Sequence, residues 1–187
     1  MIIKLHKIIE FLKSKLFEQK KYIYLSLKAE NFKYSAVKKD DKLKVFLADL
    51  NYKKAIEKDL YPYFVKEKQE YFKQFLNFDR EDVLCYLCEK DNKIVHYFLV
   101  HTDLKQSPLR KTRFKKIINS YSDYAYLGNA FTVPEERGGW IFLLVLSRII
   151  KDLKDLYGFN RMVLIFHEDT KGAVKFYQRL GFEIINF

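Results

Sequence analysis

The order of segments between residues 124 and 187 leaves this chain few folds to choose from. "YAYLGNAFTV" (124–133) has the composition of a strand, residues 139–156 carry helical spacing that ends at Gly158, and "RMVLIF" (161–166) is a continuous apolar run. Such a run fits a strand covered on both faces. A strand, a helix and a second strand in that order make a parallel pair with a right-handed crossover. "TKGAVKFYQRL" then predicts a short helix capped by Thr170 and stopped by Gly181, and "FEIINF" predicts a last strand. Gly128 interrupts the first strand of the unit, and a glycine there marks a bulge or a close backbone approach.

The earlier segments add an antiparallel part. "DVLCYLCE" and "KIVHYFLVHT" are apolar runs joined by "KDNK", a hairpin signal. Before them, "KYIYLSLKA" (21–29) and "KLKVFLADL" (42–50) read as strands. Helices are expected near 52–60 and 63–77, the second with Phe64, Tyr71, Phe72 and Phe75 turned inward. Residues 2–18 place Ile2, Leu5, Ile9, Leu12 and Leu16 on one face of an amphipathic helix. Residues 103–122 read as a polar connection with a short helix. The fold class expected is α/β of the mixed α+β kind, a central mixed sheet with a parallel strand–helix–strand unit flanked by helices. No repeat or Pro/Gly-rich linker divides the chain. A single domain over 1–187 is expected, with 1–40 as an N-terminal helix and strand extension and 41–187 as the core.

Composition removes several function classes. At 187 residues and 49% apolar, the chain can bury a core and is not a disordered protein. No apolar run approaches the roughly 18–20 residues of a membrane span. The basic N-terminus is broken by charges and lacks a signal-peptide core, so a cytoplasmic location is expected. The net charge of +11 points first to nucleic acid, but its distribution does not. Residues 1–75 hold 18 Lys against 10 acids, whereas all seven Arg, the residues suited to phosphate and base recognition, lie in the remainder. Lysine, isoleucine, phenylalanine and tyrosine share A/T-rich codons, which accounts for the excess. Lys4, Lys7, Lys13 and Lys15 beside the apolar stripe of 2–18 would suit a membrane surface, against which packing on the protein's own core is favoured. Cys85 and Cys88 form C-x-x-C without a second pair to complete a zinc site. They are read as small buried side chains, and no metal is expected.

The stretch "FTVPEERGGWIF" (131–142) leads from a strand end through Pro134, Arg137, Gly138 and Gly139 into a helix. A helix N-terminus presents unpaired N–H groups and a partial positive charge, so it is a natural anion site. Trp140 and Phe142 stand where a phosphate loop would be expected to stay small. The indole of Trp140 must then pack on the sheet, lie over the ligand, or fill the groove.

Together, "TVPEERGGWIFLLVLSRIIKDL" and "LIFHEDTKGAVKFYQRLGFEI" resemble the GNAT superfamily of acyl-CoA N-acyltransferases. The first corresponds to R-x-x-G-x-G/A opening a helix, with a departure: aligned without gaps from Arg137 its two small positions are Trp140 and Phe142, and slid by one residue they are Gly139 and Ile141. The second matches N-x-x-A-x-x-[FL]-Y-x-x-x-G-F through Thr170, Ala173, Phe176, Tyr177, Gly181 and Phe182, with Thr170 in place of Asn. "FTVPEERG" after a Tyr-rich strand is similar to bacterial members linked to surface-polysaccharide clusters. The resemblance implies transfer of an acetyl or short acyl group from coenzyme A to a primary amine, with an amino sugar as the first acceptor considered. The alternative is a non-catalytic binding protein with a degenerate coenzyme A loop. It implies acetyl-CoA contacts from Phe131, Thr132, Val133, Arg137, Gly138, Gly139, Trp140, Ile141, Phe142 and Thr170. It also implies Tyr177 as the acid that protonates the departing thiolate, and a backbone N–H near Phe131 to polarise the carbonyl. Family members usually add one more strand after "FEIINF". Without it, the acceptor site is expected to be open or closed by a second subunit in a homodimer.

Overall fold

The computed structural model describes residues 22–33, 41–73 and 80–186. The expected helix at 2–18, with its apolar and lysine faces, lies outside them, as do Phe75 and the side chain of Tyr71. Seven strands form one sheet: β1 (Tyr22–Lys28), β2 (Leu43–Leu47), β3 (Val83–Lys90), β4 (Lys93–His101), β5 (Tyr124–Thr132), β6 (Arg161–His167) and β7 (Glu183–Ile184). Their order is β2-β3-β4-β5-β6-β1-β7. Among the described residues only β5 and β6 are parallel, and the helix between them is α3 (Ile141–Asp155). Helices α1 (Lys53–Leu60) and α2 (Lys66–Lys73) precede β3, and α4 (Lys171–Arg179) follows β6.

Strand alternation decides which helix covers which face. Tyr97 of β4 meets Phe64 and Phe72, so α1 and α2 lie on its side. Its neighbour Phe98 stacks on Phe142 of α3 at 5.9 Å, on the opposite side. Helix α3 buries Ile141, Val145, Leu146, Ile149, Ile150 and Leu153 there. Spaced at three and four residues, these side chains make the continuous stripe that fixes the helix on the sheet. Cys85 and Cys88 sit opposite Leu99 and His96 across the hairpin, on opposite faces, both buried and neither in a disulfide. Burial pushes the Cys85 thiol up to about 12, which keeps it from reacting as thiolate.

Two expectations need correction. The first concerns 103–122, which is a packed wall as well as a connection. Three 3-10 turns, Pro108–Lys111, Arg113–Lys116 and Ile118–Tyr121, bury Leu109, Phe114 and Ile118 with Leu104 against Tyr24, Tyr126 and Val163. The second concerns the last strand, which shrinks to Glu183–Ile184. The flank of β6 is filled by β1, which pairs with β6 through seven residues and carries β7 on its other side.

Gly181 lets the chain leave α4 and return to β7. Its φ is +100°, and a Cβ there would lie 2.1 Å from the Asn31 carbonyl oxygen. Gly138 has a φ of +79° but open space around it. Strain alone costs about 1–3 kcal/mol for a non-glycine residue, so Gly138→Ala is expected to lose that much in urea unfolding. Gly181→Ala is expected to lose clearly more. Equal losses would contradict the packing at Gly181.

Candidate functional site

Strand β5 leaves β6 soon after pairing begins. The parallel register covers only Tyr124 with Arg161, Ala125 with Met162 and Tyr126 with Val163. On its other side, β5 pairs with β4 at 126–127 and again at 130–132, with a register shift between Phe98 and Val100. Gly128 and Asn129 oppose the single residue Leu99, which is the bulge that the glycine marked. Beyond it β5 and β6 separate, and a cleft of about 440 Å³ opens between them. It is lined by 126–132 of β5, 164–166 of β6, His96, His101, Phe142 and Tyr177 among others, and among the described residues no Asp or Glu is in the lining.

The backbone edge offered to this cleft follows from the register. Val133 N–H donates to Val95 O at 3.0 Å, and Phe131 lies opposite Tyr97 two residues away. In an antiparallel ladder, alternate residues point their N–H and C=O to the same neighbour. Phe131 and Val133 therefore bond to β4, and Ala130 and Thr132 turn toward the opening. The Thr132 carbonyl confirms this direction by accepting from Arg137 Nε at 3.1 Å. Of Phe131, Thr132 and Val133, Thr132 turns its backbone toward the opening, and Ala130 does so beside it.

After Thr132 the chain makes a 3-10 turn at Pro134–Glu136 and passes Arg137, Gly138 and Gly139 before α3 starts at Ile141. The first bond into the helix runs from Leu144 N–H to Trp140 O. The N–H groups of Ile141, Phe142 and Leu143 precede it, and no side chain caps the helix. A second cavity, about 510 Å³, lies at this point and is lined by Gly138, Gly139, Trp140, Phe142, Leu143, Phe176 and Tyr177. Trp140 is 61% exposed, so its indole stands at the mouth of the groove rather than packed on the sheet. The Arg137 guanidinium is turned out of the groove and lies 5.4 Å from the centre of the Phe131 ring.

Tyr177 and Phe142 line both cavities. Tyr177 is held by edge-on contacts to Phe142 and Phe182 and by Phe166. Burial raises its pKa, which keeps the hydroxyl protonated. Thr170 precedes α4 as expected but does not cap it. Its hydroxyl donates to His167 O at 2.6 Å instead.

Two histidines join the cleft from opposite faces of β4. His96, read from sequence as an ordinary strand residue, is fully buried, and its Nδ1 shares a hydrogen bond with Thr132 Oγ1 at 2.8 Å. Its Nε2 has no partner among the described residues. His101 meets the ring of Tyr126. Only the register of β4 against β5 places these rings at the cleft, and no sequence motif carries that information. Burial lowers His96 to about 3, and burial with the nearby Arg80 lowers His101 to about 4, so both are neutral at pH 7.

A sequence profile described as "Acetyltransferase (GNAT) family" matches residues 52–182. No curated protein matches the sequence. Among solved structures, a functionally unknown conserved protein from Staphylococcus epidermidis superposes with a TM-score of 0.60 at 13% identity, over 98% of this chain and 63% of that one. This chain thus spans less than two thirds of that protein. A ribosomal-protein-alanine N-acetyltransferase from Brucella melitensis gives 0.52 at 15% identity, over 74% and 90%. An aminoglycoside acetyltransferase from an uncultured soil metagenomic sample gives 0.53 at 15%, over 79% and 95%. At these identities the likeness establishes the fold. Among the described residues, no helix is long and apolar enough to cross a membrane, and no three metal-ligating side chains cluster.

The neutral histidines make a pH prediction with a defined sign. Both folded values lie below the ordinary 6.5. The unfolded chain takes up these protons first as pH falls, so this stability is complete above about 6.5 and is lost from there down to about 4 for His101 and about 3 for His96. Each group contributes at most about 1.4 kcal/mol per pH unit. Urea unfolding at pH 7 and at pH 4.5 should show a smaller loss for His96→Gln/His101→Gln than for the native chain. An equal loss would mean that neither imidazole is held neutral.

Proposed function

We propose, since this chain belongs to the GNAT acetyltransferase family, that it moves an acetyl or similar short acyl group from coenzyme A to a primary amine. An amino sugar is the first acceptor class to test. The observation that carries this reading is the placement of Tyr177, where the cleft between β5 and β6 meets the groove at the head of α3. A thioester lying across that junction would have its acyl carbon in the cleft and its sulfur beside the Tyr177 hydroxyl.

The residues fit the cofactor in three ways. The main-chain N–H groups from Gly138 to Phe142 can hold the pyrophosphate, because a backbone donor does not depend on its side chain and nothing lies within 4 Å of Gly138 where a Cβ would be. Arg137 contributes there through its backbone. The outward N–H groups of Ala130 and Thr132 and the Ala130 carbonyl can pair with the amides of the pantetheine arm as an added strand would, the Thr132 carbonyl being held by Arg137 Nε. A donor on that same edge can polarise the thioester carbonyl.

In the transfer, the lone pair of a neutral amine attacks the carbonyl carbon. The carbon–sulfur bond breaks, the thiolate takes the Tyr177 proton, and the ammonium gives a proton to water. Tyr177 then recovers its proton from solvent. A raised pKa suits a group that must arrive protonated at neutral pH.

The test joins calorimetry with acetyl-CoA to thiol release in the presence of primary amines. The full chain is expected to bind acetyl-CoA and to release thiol in an amine-dependent way. Tyr177→Phe should keep acetyl-CoA affinity and lose roughly 10²–10⁴-fold in turnover. Undiminished turnover in Tyr177→Phe would remove its role as the acid. Failure of the native chain to bind acetyl-CoA would replace the transfer reading with a non-catalytic use of the fold.

A further inference from the structure

The ring of Phe131 carries two cations. Lys68 Nζ from α2 lies 4.5 Å from its centre, and Arg137 Cζ lies 5.4 Å from it. Lys68 also lies 4.6 Å from the centre of Phe64. Among the described residues, neither cation has a carboxylate partner. Glu136 nearby is engaged with Lys90 at 2.7 Å. Burial, and then the charge of Arg137, lowers the Lys68 pKa, so holding both cations at this ring opposes the ionisation of Lys68.

The pair occupies a defined side of the sheet. Phe131 points to the side of Tyr97 and Phe64, and Thr132 points to the side of His96. The groove at the head of α3 is on the Thr132 side, where its wall includes Phe142 and Tyr177. Lys68 and the Arg137 guanidinium are therefore separated from that groove by the sheet edge. They are in contact with the cleft itself through Phe131, which is part of its lining.

We propose that the acceptor carries an anionic group, carboxylate or phosphate, that binds between Lys68 and Arg137 on the α2 side of the cleft. This inference rests on the transferase reading above and names the acceptor class for it. Two like charges at one aromatic ring, without a carboxylate partner among the described residues, are relieved by one anion; the Arg137 Nε is held by Thr132 O, and its two terminal nitrogens remain to meet either oxyanion. The described residues of the cleft lining include no Asp or Glu, which fits the same class, because none of them would hold a polycationic amine. Such an acceptor would be repelled by the pair.

The test is an NMR titration of the full chain labelled at lysine Cε, with the Lys68 signal assigned through Lys68→Met. Coenzyme A is added to saturation, and then inorganic phosphate or, separately, acetate. The Lys68 signal is expected to shift saturably with at least one anion in the coenzyme-loaded protein. Arg137→Met should weaken that binding at least about tenfold. A response to one anion alone identifies the group. An unmoved Lys68 signal overturns the proposal. A signal that moves only without coenzyme overturns it as well, because the cations then belong to the cofactor phosphates. If coenzyme A fails to bind, the transferase reading falls, and the Lys68 signal in the unloaded protein still decides whether the anion site exists.

Discussion

Only three residue pairs join β5 to β6, and the rest of the site depends on that short pairing. The bulge at Gly128 and Asn129 turns the strand away while keeping it bonded to β4 at 130–132. Two backbone positions, Ala130 and Thr132, are left facing a gap between strands. The Thr132 carbonyl there is met by Arg137 Nε at 3.1 Å, and because a buried amide group without a partner costs about 1–3 kcal/mol, the N–H groups of this edge persist only where water or a ligand reaches them. The same divergence carries the chain to Pro134 and sets the start of α3 at the end of the cleft. Cleft, free edge and helix N-terminus therefore follow from one irregularity in one strand.

An opened parallel pair needs support from the outer side. Strand β1 supplies it by pairing with the whole of β6, from Tyr22 opposite His167 to Lys28 opposite Arg161. The turns of 103–122 add a second layer over Tyr24, Tyr126 and Val163 at the closed end of the cleft. At the other end, Phe142, Phe166, Phe176 and Phe182 surround the Tyr177 ring. Burying a phenol on so many sides holds its hydroxyl at one place and in its neutral form.

Much of this was legible in local chemistry. The run "RMVLIF", the helix that ends at Gly158 and the interruption at Gly128 specify a strand–helix–strand unit with a bulge, because each depends on nearby residues. What depended on distant partners was not legible. "KYIYLSLKA" reads as a strand in any sheet position, and only packing places it between β6 and β7. Leu104, Leu109, Phe114 and Ile118 recur at four- and five-residue intervals, which match neither strand nor helix. They bury together through short turns opened by Ser107 and Thr112. Thr170 has the right residue type for a cap, yet its hydroxyl finds the His167 carbonyl first. His96 gains its place from a partner 36 residues away, and the pairing of Lys68 with Arg137 spans a longer interval still.

The central claim is that the edge of β5 and the head of α3 bind one ligand together. Backbone amide NMR during titration with acetyl-CoA measures this most directly. The account predicts saturable shifts of the Thr132 amide and of the Gly139 to Phe142 amides with one common affinity. The Val133 amide, which is committed to Val95 O at 3.0 Å, should move least among its neighbours. Shifts confined to the basic turns of 110–116, or different affinities at Thr132 and at Gly139, would contradict it.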